Sequence, residues 1–295
     1  MKKWIALALL LVGLLMLKKM QGSPVYFEDD WMDSPKTHDT ASLVSQLPPD
    51  TGKPVFIACH GYTATTYEWQ EFRTYAELRG ALVSLVLLGG HGRDLETFRN
   101  STWQDWGKPI VDEYNALSQK GYTDIHLIAA SASCPLILNA LAQGQFSNVK
   151  SITFIDPFLI PVDKKIYLTP FVGFFIKNSA VYEGRNKATL QHWYNNRPIE
   201  TLQQLVSLIK TAKKNLKNIK LETTLFIYQS SKDPVSSPDG AKLIGKYLPA
   251  KIEFVDSSHH VFIQGQTRQG VDWSEKDAAL QHQVFDDILK RTRQQ

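Results

Sequence analysis

Apolar runs of strand length recur along the chain, with helical patterns between most of them. Val55–Cys59, Leu82–Leu88, Ile125–Ala130, Ile152–Ile155, Thr224–Tyr228 and Ile252–Val255 are nearly continuous hydrophobic stretches. Strands covered by helices on both faces read this way, whereas half-exposed strands alternate. Trp69–Leu78, Trp103–Gln119 and Cys134–Ala142 carry apolar positions at helical spacing. Alternating strand and helix predicts a mostly parallel central sheet with helices on both faces. The interval between Asp156 and Leu221 breaks the alternation. Pro157, Pro161, Pro170 and Pro198 punctuate it, and Phe158, Leu159, Ile166, Leu168, Phe171 and Phe174 make it apolar. It is too long for a single crossover. An inserted lid over about 157–220 is the expectation; the other reading is ordinary connecting helices packed on the core.

The first half-hundred residues follow different rules. Lys2 and Lys3 precede an apolar run from Trp4 to Leu17, closed by Lys18 and Lys19. The run is short for a spanning helix unless its flanking lysines snorkel. No small-x-small pair follows closely to mark a cleavage site. Residues 1–21 therefore read as an N-terminal membrane anchor, with a cleaved signal peptide as the alternative. Residues 22–53 read as a polar tether, with one edge strand near Val25–Phe27, and 54–295 as the globular body. The expected place is a bacterial inner membrane with the body in the periplasm, or, after cleavage, a secreted or periplasmic protein.

Composition narrows the class. A chain of 295 residues with 43% hydrophobic and 21% charged residues is an ordinary globular protein. Two cysteines exclude a disulfide scaffold and an all-cysteine zinc module. The four lysines of the first nineteen residues account for the whole net charge of +4. The remainder is balanced, so no nucleic-acid partner is expected. Lys210, Lys213, Lys214, Lys217 and Lys220 form a basic stripe at helical spacing. Such a stripe is usually a solvated face, or, beside a membrane anchor, one that meets anionic head groups.

Candidate chemistry collects where strands end. Ile125–Ala130 runs into Ser131-Ala132-Ser133-Cys134-Pro135, with proline suited to the first turn of a helix. A serine on such a turn stands above the sheet edge beside a helix N-terminus, where negative charge is favoured. Ala129 and Ser133, two residues either side, are small enough for strand and helix to approach closely, and glycine at either place is expected to be tolerated. Val55–Cys59 ends in His60-Gly61-Tyr62, where glycine leaves room for a backbone N–H to face an oxyanion. Thr224–Tyr228 is followed by Ser-Ser-Lys and then Asp233, and Ile252–Val255 by Asp-Ser-Ser and then His259 and His260. Ligands bind at the carboxyl ends of strands in open α/β sheets. Asp156, which also ends a strand, is either an alternative acid or the turn into the lid. Cys59 and Cys134 read as buried free thiols; a disulfide between them has no support. The histidines lack metal-binding spacing, so no metal is expected.

The motifs His60-Gly61-Tyr62, Gly90-His91-Gly92-Arg93, Ser131, Asp233-Pro234-Val235 and Ser258-His259-His260-Val261 stand in the order and approximate spacing of the α/β-hydrolase family. From Pro54 to the C-terminus the chain resembles that family, most of all its monoacylglycerol lipase and carboxylesterase branch. It departs at the elbow, where Ala-Ala-Ser-Ala-Ser replaces Gly-x-Ser-x-Gly. The resemblance implies Ser131 as nucleophile, a histidine as general base and Asp233 as its orienting acid, in the order Ser, Asp, His. The family's Ser-x-His-Val string selects His260, leaving His259 facing solvent or the rim; a second register makes His259 the base. The resemblance further implies the backbone N–H groups of Tyr62 and Ala132 as oxyanion donors, a structural role for His60, and no cofactor. The implied activity is hydrolysis of carboxylic esters, such as monoacylglycerols or other lipophilic acyl esters, through an acyl-enzyme. Thioesterase, peptidase or acyltransferase activity, and a non-catalytic binding protein of the same fold, are the alternatives. The oligomeric state is not legible.

Overall fold

A computed structural model describes residues 39–172, 178–180, 192–194, 196–265 and 273–292. The expected anchor, most of the tether and the strand near Val25–Phe27 lie outside these residues. No helix among the described residues is long and apolar enough to cross a membrane.

Six parallel strands form the sheet, in the order β2-β1-β3-β4-β7-β8. They are β1 (Val55–Cys59), β2 (Leu82–Val86), β3 (Ile125–Ala130), β4 (Val149–Ile155), β7 (Thr224–Ser230) and β8 (Ala250–Val255). Two short strands, β5 (Asn178–Ala180) and β6 (Asn196–Pro198), pair antiparallel outside it. The helices are α1 (Gln70–Glu77), α2 (Leu95–Asn100), α3 (Trp103–Gln119), α4 (Ser133–Ala142), α5 (Thr169–Val172), α6 (Ile199–Asn215), α7 (Asp239–Tyr247) and α8 (Glu275–Lys290).

The sheet divides the core into two layers. Val55, Ile57 and Cys59 of β1 face α3, α4, α6 and α7, while Phe56 and Ala58 face α1 and α8. Every residue of β1 and β3 is buried, as uninterrupted apolar strands require. The edge strand β8 departs from the expectation. Its outer positions are partly open and Phe254 is 46% exposed, because no further strand among the described residues flanks it. The opposite edge is covered in part by an antiparallel bridge between Ser42 and Leu85 of β2. Capping boxes start α3 (Thr102 with Asp105) and α8 (Ser274 with Asp277).

The expected lid resolves into parts. Leu202, Leu205, Leu208, Ile209 and Ala212 of α6 are buried in the core, and Asn139 of α4 donates from Nδ2 to the Leu208 carbonyl at 3.5 Å. The stretch from Ile199 onward is therefore a crossover helix between β4 and β7. Its periodic apolar face is the reason, and the lid boundary at 220 is corrected to end before it. Phe158 and Leu159 are core residues, whereas Leu168 and Phe171 are 38% and 75% exposed. Phe174 and residues 181–191 lie outside the described set.

Candidate active site

The four non-glycine residues with left-handed φ among those described are Thr63 (66°), Ser131 (54°), Asp156 (46°) and Val261 (56°). All four follow the carboxyl ends of strands: β1, β3, β4 and β8 respectively. Backbone conformations of this kind cost about 1–3 kcal/mol each and persist only where the surroundings over-determine them. At Ser131 the surroundings are explicit. Its N–H donates to Ile155 O at 3.0 Å, and its carbonyl accepts from Phe158 N–H at 3.0 Å and Cys134 N–H at 3.2 Å. The turn thrusts the serine hydroxyl off the end of β3.

His260 Nε2 lies 2.8 Å from Ser131 Oγ, and His260 Nδ1 lies 2.8 Å from Asp233 Oδ2. With Asp233 accepting from Nδ1–H, Nε2 is left as the acceptor that faces the serine proton. Asp233 Oδ1 in turn accepts from the N–H groups of Val235 at 2.7 Å and Ser236 at 2.9 Å, which fixes the carboxylate. Burial lowers the pKa of His260, but the charge and hydrogen bond of Asp233, with Asp156 and Glu68 behind it, outweigh that and raise it above the ordinary histidine value.

The adjacent histidine goes elsewhere. His259 is buried rather than facing solvent or the rim, its Nε2 is 3.5 Å from Asp277 Oδ2, and its ring packs on Trp273. Asp277 belongs to the first turn of α8, which draws the side chain to the opposite side of the loop. The structure thus brings His260, and not His259, to Ser131 and Asp233.

The oxyanion loop is held by a residue that sequence reasoning did not single out. Glu68 is buried; its Oε2 accepts from Gly61 N–H at 2.7 Å and its Oε1 from Gln264 Nε2 at 2.7 Å. Gly61 sits so close to the elbow that a Cβ there would lie 3.1 Å from the Ser131 Cβ. With the Gly61 amide committed, the next one, of Tyr62, and that of Ala132 at the N-terminus of α4 donate to no acceptor among the described residues. No side chain caps α4, so its N-terminus is open toward the serine. His60 holds the loop from behind: its Nδ1 bonds Gly61 O at 2.9 Å, and its Nε2 accepts from Leu88 N–H at 3.0 Å. Burial lowers its pKa to about 4, so it is neutral.

Ser133 is more than a small residue. Its hydroxyl oxygen accepts from Ala130 N–H at 2.9 Å and lies 2.8 Å from the carbonyls of Cys59 and Ala130, tying the elbow to the end of β1. The expected tolerance of glycine at 133 is corrected accordingly, because glycine would remove the acceptor of the buried Ala130 N–H. Cys59 and Cys134 are buried free thiols, and burial raises both pKa values. His91 is buried behind the loop, edge-on to Tyr62 and Phe98. Asp156 is neither a mere turn nor the group bonded to the histidine: it lies beside the acid. The ligand atoms of Asp156, Asp233 and His260 all fall within 4.8 Å of one another. Asp233 and His260 are bonded to each other and Asp156 is occupied by backbone donors, so the cluster is an acid–base corner rather than an ion-binding shell.

No protein-family model matches the chain. A carboxylesterase of Bacillus subtilis (strain 168) is 23% identical over 225 residues, spanning 74% of this chain and 88% of that protein. A structure described with LipS and LipT, two metagenome-derived lipolytic enzymes, superposes with a TM-score of 0.70 at 18% identity, covering 88% of this chain and 99% of the other. A soluble variant of the Saccharomyces cerevisiae monoglyceride lipase gives 0.64 at 11% identity over 92% and 98% of the two chains. The Paleococcus ferrophilus monoacylglycerol lipase gives 0.62 at 12% over 81% and 96%. The parallel sheet in this order and the superposition on these lipolytic enzymes show that the chain has the α/β-hydrolase fold.

Proposed function

We propose that the protein is a serine hydrolase that cleaves carboxylic esters through an acyl-enzyme on Ser131. The observation that carries this is the unbroken relay from Ser131 Oγ through His260 to Asp233, each contact 2.8 Å, beside two available backbone amides. His260 Nε2 takes the serine proton as Oγ bonds to the acyl carbon. The amides of Tyr62 and Ala132 receive the charge that develops on the carbonyl oxygen. The imidazolium then returns the proton to the departing alkoxide. Water repeats the sequence against the acyl-enzyme and frees the acid. Every group this needs is a side chain or amide of the chain itself.

The substrates we infer are monoacylglycerols or other lipophilic acyl esters. The solved monoacylglycerol and monoglyceride lipases of the same fold and the exposed Leu168 and Phe171 support this. The apolar segment of residues 4–17 supports attachment of the body to a membrane, with the catalytic domain in the periplasm as the favoured placement. The test is a series of p-nitrophenyl esters and monoacylglycerols of rising chain length, with matched thioesters and amides. Esters should turn over fastest, with a burst of p-nitrophenol when deacylation is slow. Turnover of thioesters or amides alone would move the activity to another acyl class. Full-length protein should fractionate with membranes, and removing residues 1–21 should release an active body.

A further inference from the structure

Asp156 carries no step of the reaction above, yet it is buried, left-handed and crowded with donors. Its Oδ1 accepts from Ser230 N–H at 2.6 Å and Gln229 Nε2 at 3.2 Å; its Oδ2 accepts from Val261 N–H at 2.8 Å. Ser230 Oγ lies 3.1 Å from Oδ2 and donates to the His259 carbonyl at 2.8 Å. Asp156's own N–H donates to Tyr228 O at 2.9 Å. One carboxyl group therefore grips the end of β7, three residues before Asp233, and the residue directly after His260. Gln229 Nε2 also reaches Asp233 Oδ2 at 3.4 Å, so the amide stands between the two carboxyl groups. A buried carboxyl group in a hydrophobic protein interior is costly to keep, and local packing does not require one here.

We propose that Asp156 is a positioning residue: its carboxyl group clamps the acid loop to the base loop, holds Val261 in its left-handed conformation, and so presents the His260 imidazole to Ser131. The inference rests on the acyl-transfer reading above. It explains why a charged residue with positive φ sits where β4 leaves the sheet. Without the clamp, Val261 would relax toward φ below zero and swing the preceding imidazole off the serine. A displacement of about 1 Å at such a group can cost about a hundredfold in rate. The charge matters as well as the bonds. Burial foremost, then Asp233, raises the pKa of Asp156 well above the usual carboxylate range, and its ionised form raises that of His260. The titratable groups around it are Asp233 from the β7 loop, His260 from the β8 loop and Cys134 from α4, with Glu68 beyond the imidazole.

Asp156→Asn and Asp156→Gly test this. Both residues accept a left-handed backbone, and both remove a charge that burial opposes, so both variants should fold. Asparagine keeps one acceptor but turns an NH2 toward a donor. The kcat should fall about tenfold in Asp156→Asn and about a hundredfold in Asp156→Gly, with KM within about twofold. The acid limb of kcat/KM should move to lower pH in both, because one of the charges that raises the His260 pKa is gone. A merely structural residue would lower the melting temperature and leave that limb in place. Wild-type kcat with an unmoved limb in either folded variant overturns the proposal. Should neither fold, the histidine signals of the wild-type protein decide: ring resonances assigned to His260 should titrate in two steps, with the neighbouring carboxyl felt as a separate event, and a single step overturns it. Fluorophosphonate labelling of the wild type separates the two readings. No labelling fails the acyl-transfer reading and this one with it, whereas labelling at Ser131 with unaffected Asp156 variants overturns only the clamp.

Discussion

The interior of the sheet and its carboxyl edge obey opposite rules. Inside, β1 and β3 are wholly buried and almost wholly apolar, in relaxed strand conformations. At the edge, in the loops that leave β1, β3, β4, β7 and β8, stand four left-handed non-glycine residues and the buried carboxyl groups of Glu68, Asp156 and Asp233. The interior gains stability from burial at little conformational cost. The edge holds strain and buried charge, and each charged group there is occupied by donors that fix its direction. Departures from local preference thus collect where the chemistry is, as expected when a rigid scaffold supports a strained site.

The comparison is broken most severely by the base. His260→Ala should lower ester turnover by about four to six orders of magnitude while the sheet and its melting temperature stay nearly intact. His259→Ala should keep activity within about tenfold and instead lower stability by about 1 kcal/mol, because it loosens the loop from α8 through Asp277. Comparable activity loss in both would mean the two neighbours share a role.

An intermediate effect belongs to the oxyanion loop. Glu68→Ala frees the Gly61 amide to compete for the position that Tyr62 serves. The kcat should fall by about 10- to 100-fold with KM little changed, as when an oxyanion donor is misplaced. Unaltered kcat in a folded Glu68→Ala enzyme would mean the loop holds itself. A smaller effect, on stability alone, distinguishes the two small residues of the elbow. Ser133→Gly should cost about 1–3 kcal/mol of stability, since it removes the acceptor of the buried Ala130 N–H and the one hydrogen bond the hydroxyl donates, while the Cys59 carbonyl keeps Trp69 Nε1 at 2.9 Å. Ala129→Gly should cost about 1 kcal/mol or less, in a strand interior with no hydroxyl to lose. Chemical denaturation of the two variants checks the order.

The subtlest effect is on pH. A neutral imidazole is needed to accept the serine proton, and the carboxylates around His260 raise its pKa. Activity should therefore rise with pH along a limb lying above the ordinary histidine value of about 6.5. A midpoint at or below that value would show burial outweighing the carboxylates.

These opposite rules also decide what the sequence discloses. The strands were legible because a doubly covered parallel strand is an uninterrupted apolar run, and Val55–Cys59 and Ile125–Ala130 coincide with β1 and β3 residue for residue. Ser131, Asp233 and His260 were legible from their places just past strand ends and from the family's motif order. Glu68, Gln264 and Gln229 were not, and Asp156 was legible only as a residue at a strand end, not as a link between two loops. They are separated in the chain by as many as 196 residues from their partners, and no spacing rule connects them. The side of the loop taken by His259 depends on Asp277, in a helix eighteen residues further on, so solvent exposure was the wrong expectation. The lid was drawn too long because an amphipathic helix such as Ile199–Asn215 looks the same from its periodicity whether it covers a site or spans a crossover.

The central claim is that Ser131, primed by His260, is the nucleophile. A fluorophosphonate reacts irreversibly with such a serine, so intact-mass analysis of wild type and Ser131→Ala after treatment tests it most directly. The account predicts one adduct per wild-type chain, on Ser131, and none on a Ser131→Ala protein whose circular dichroism is unchanged. An unlabelled, folded wild-type protein, or an adduct that persists in Ser131→Ala on another serine such as Ser133, would contradict it.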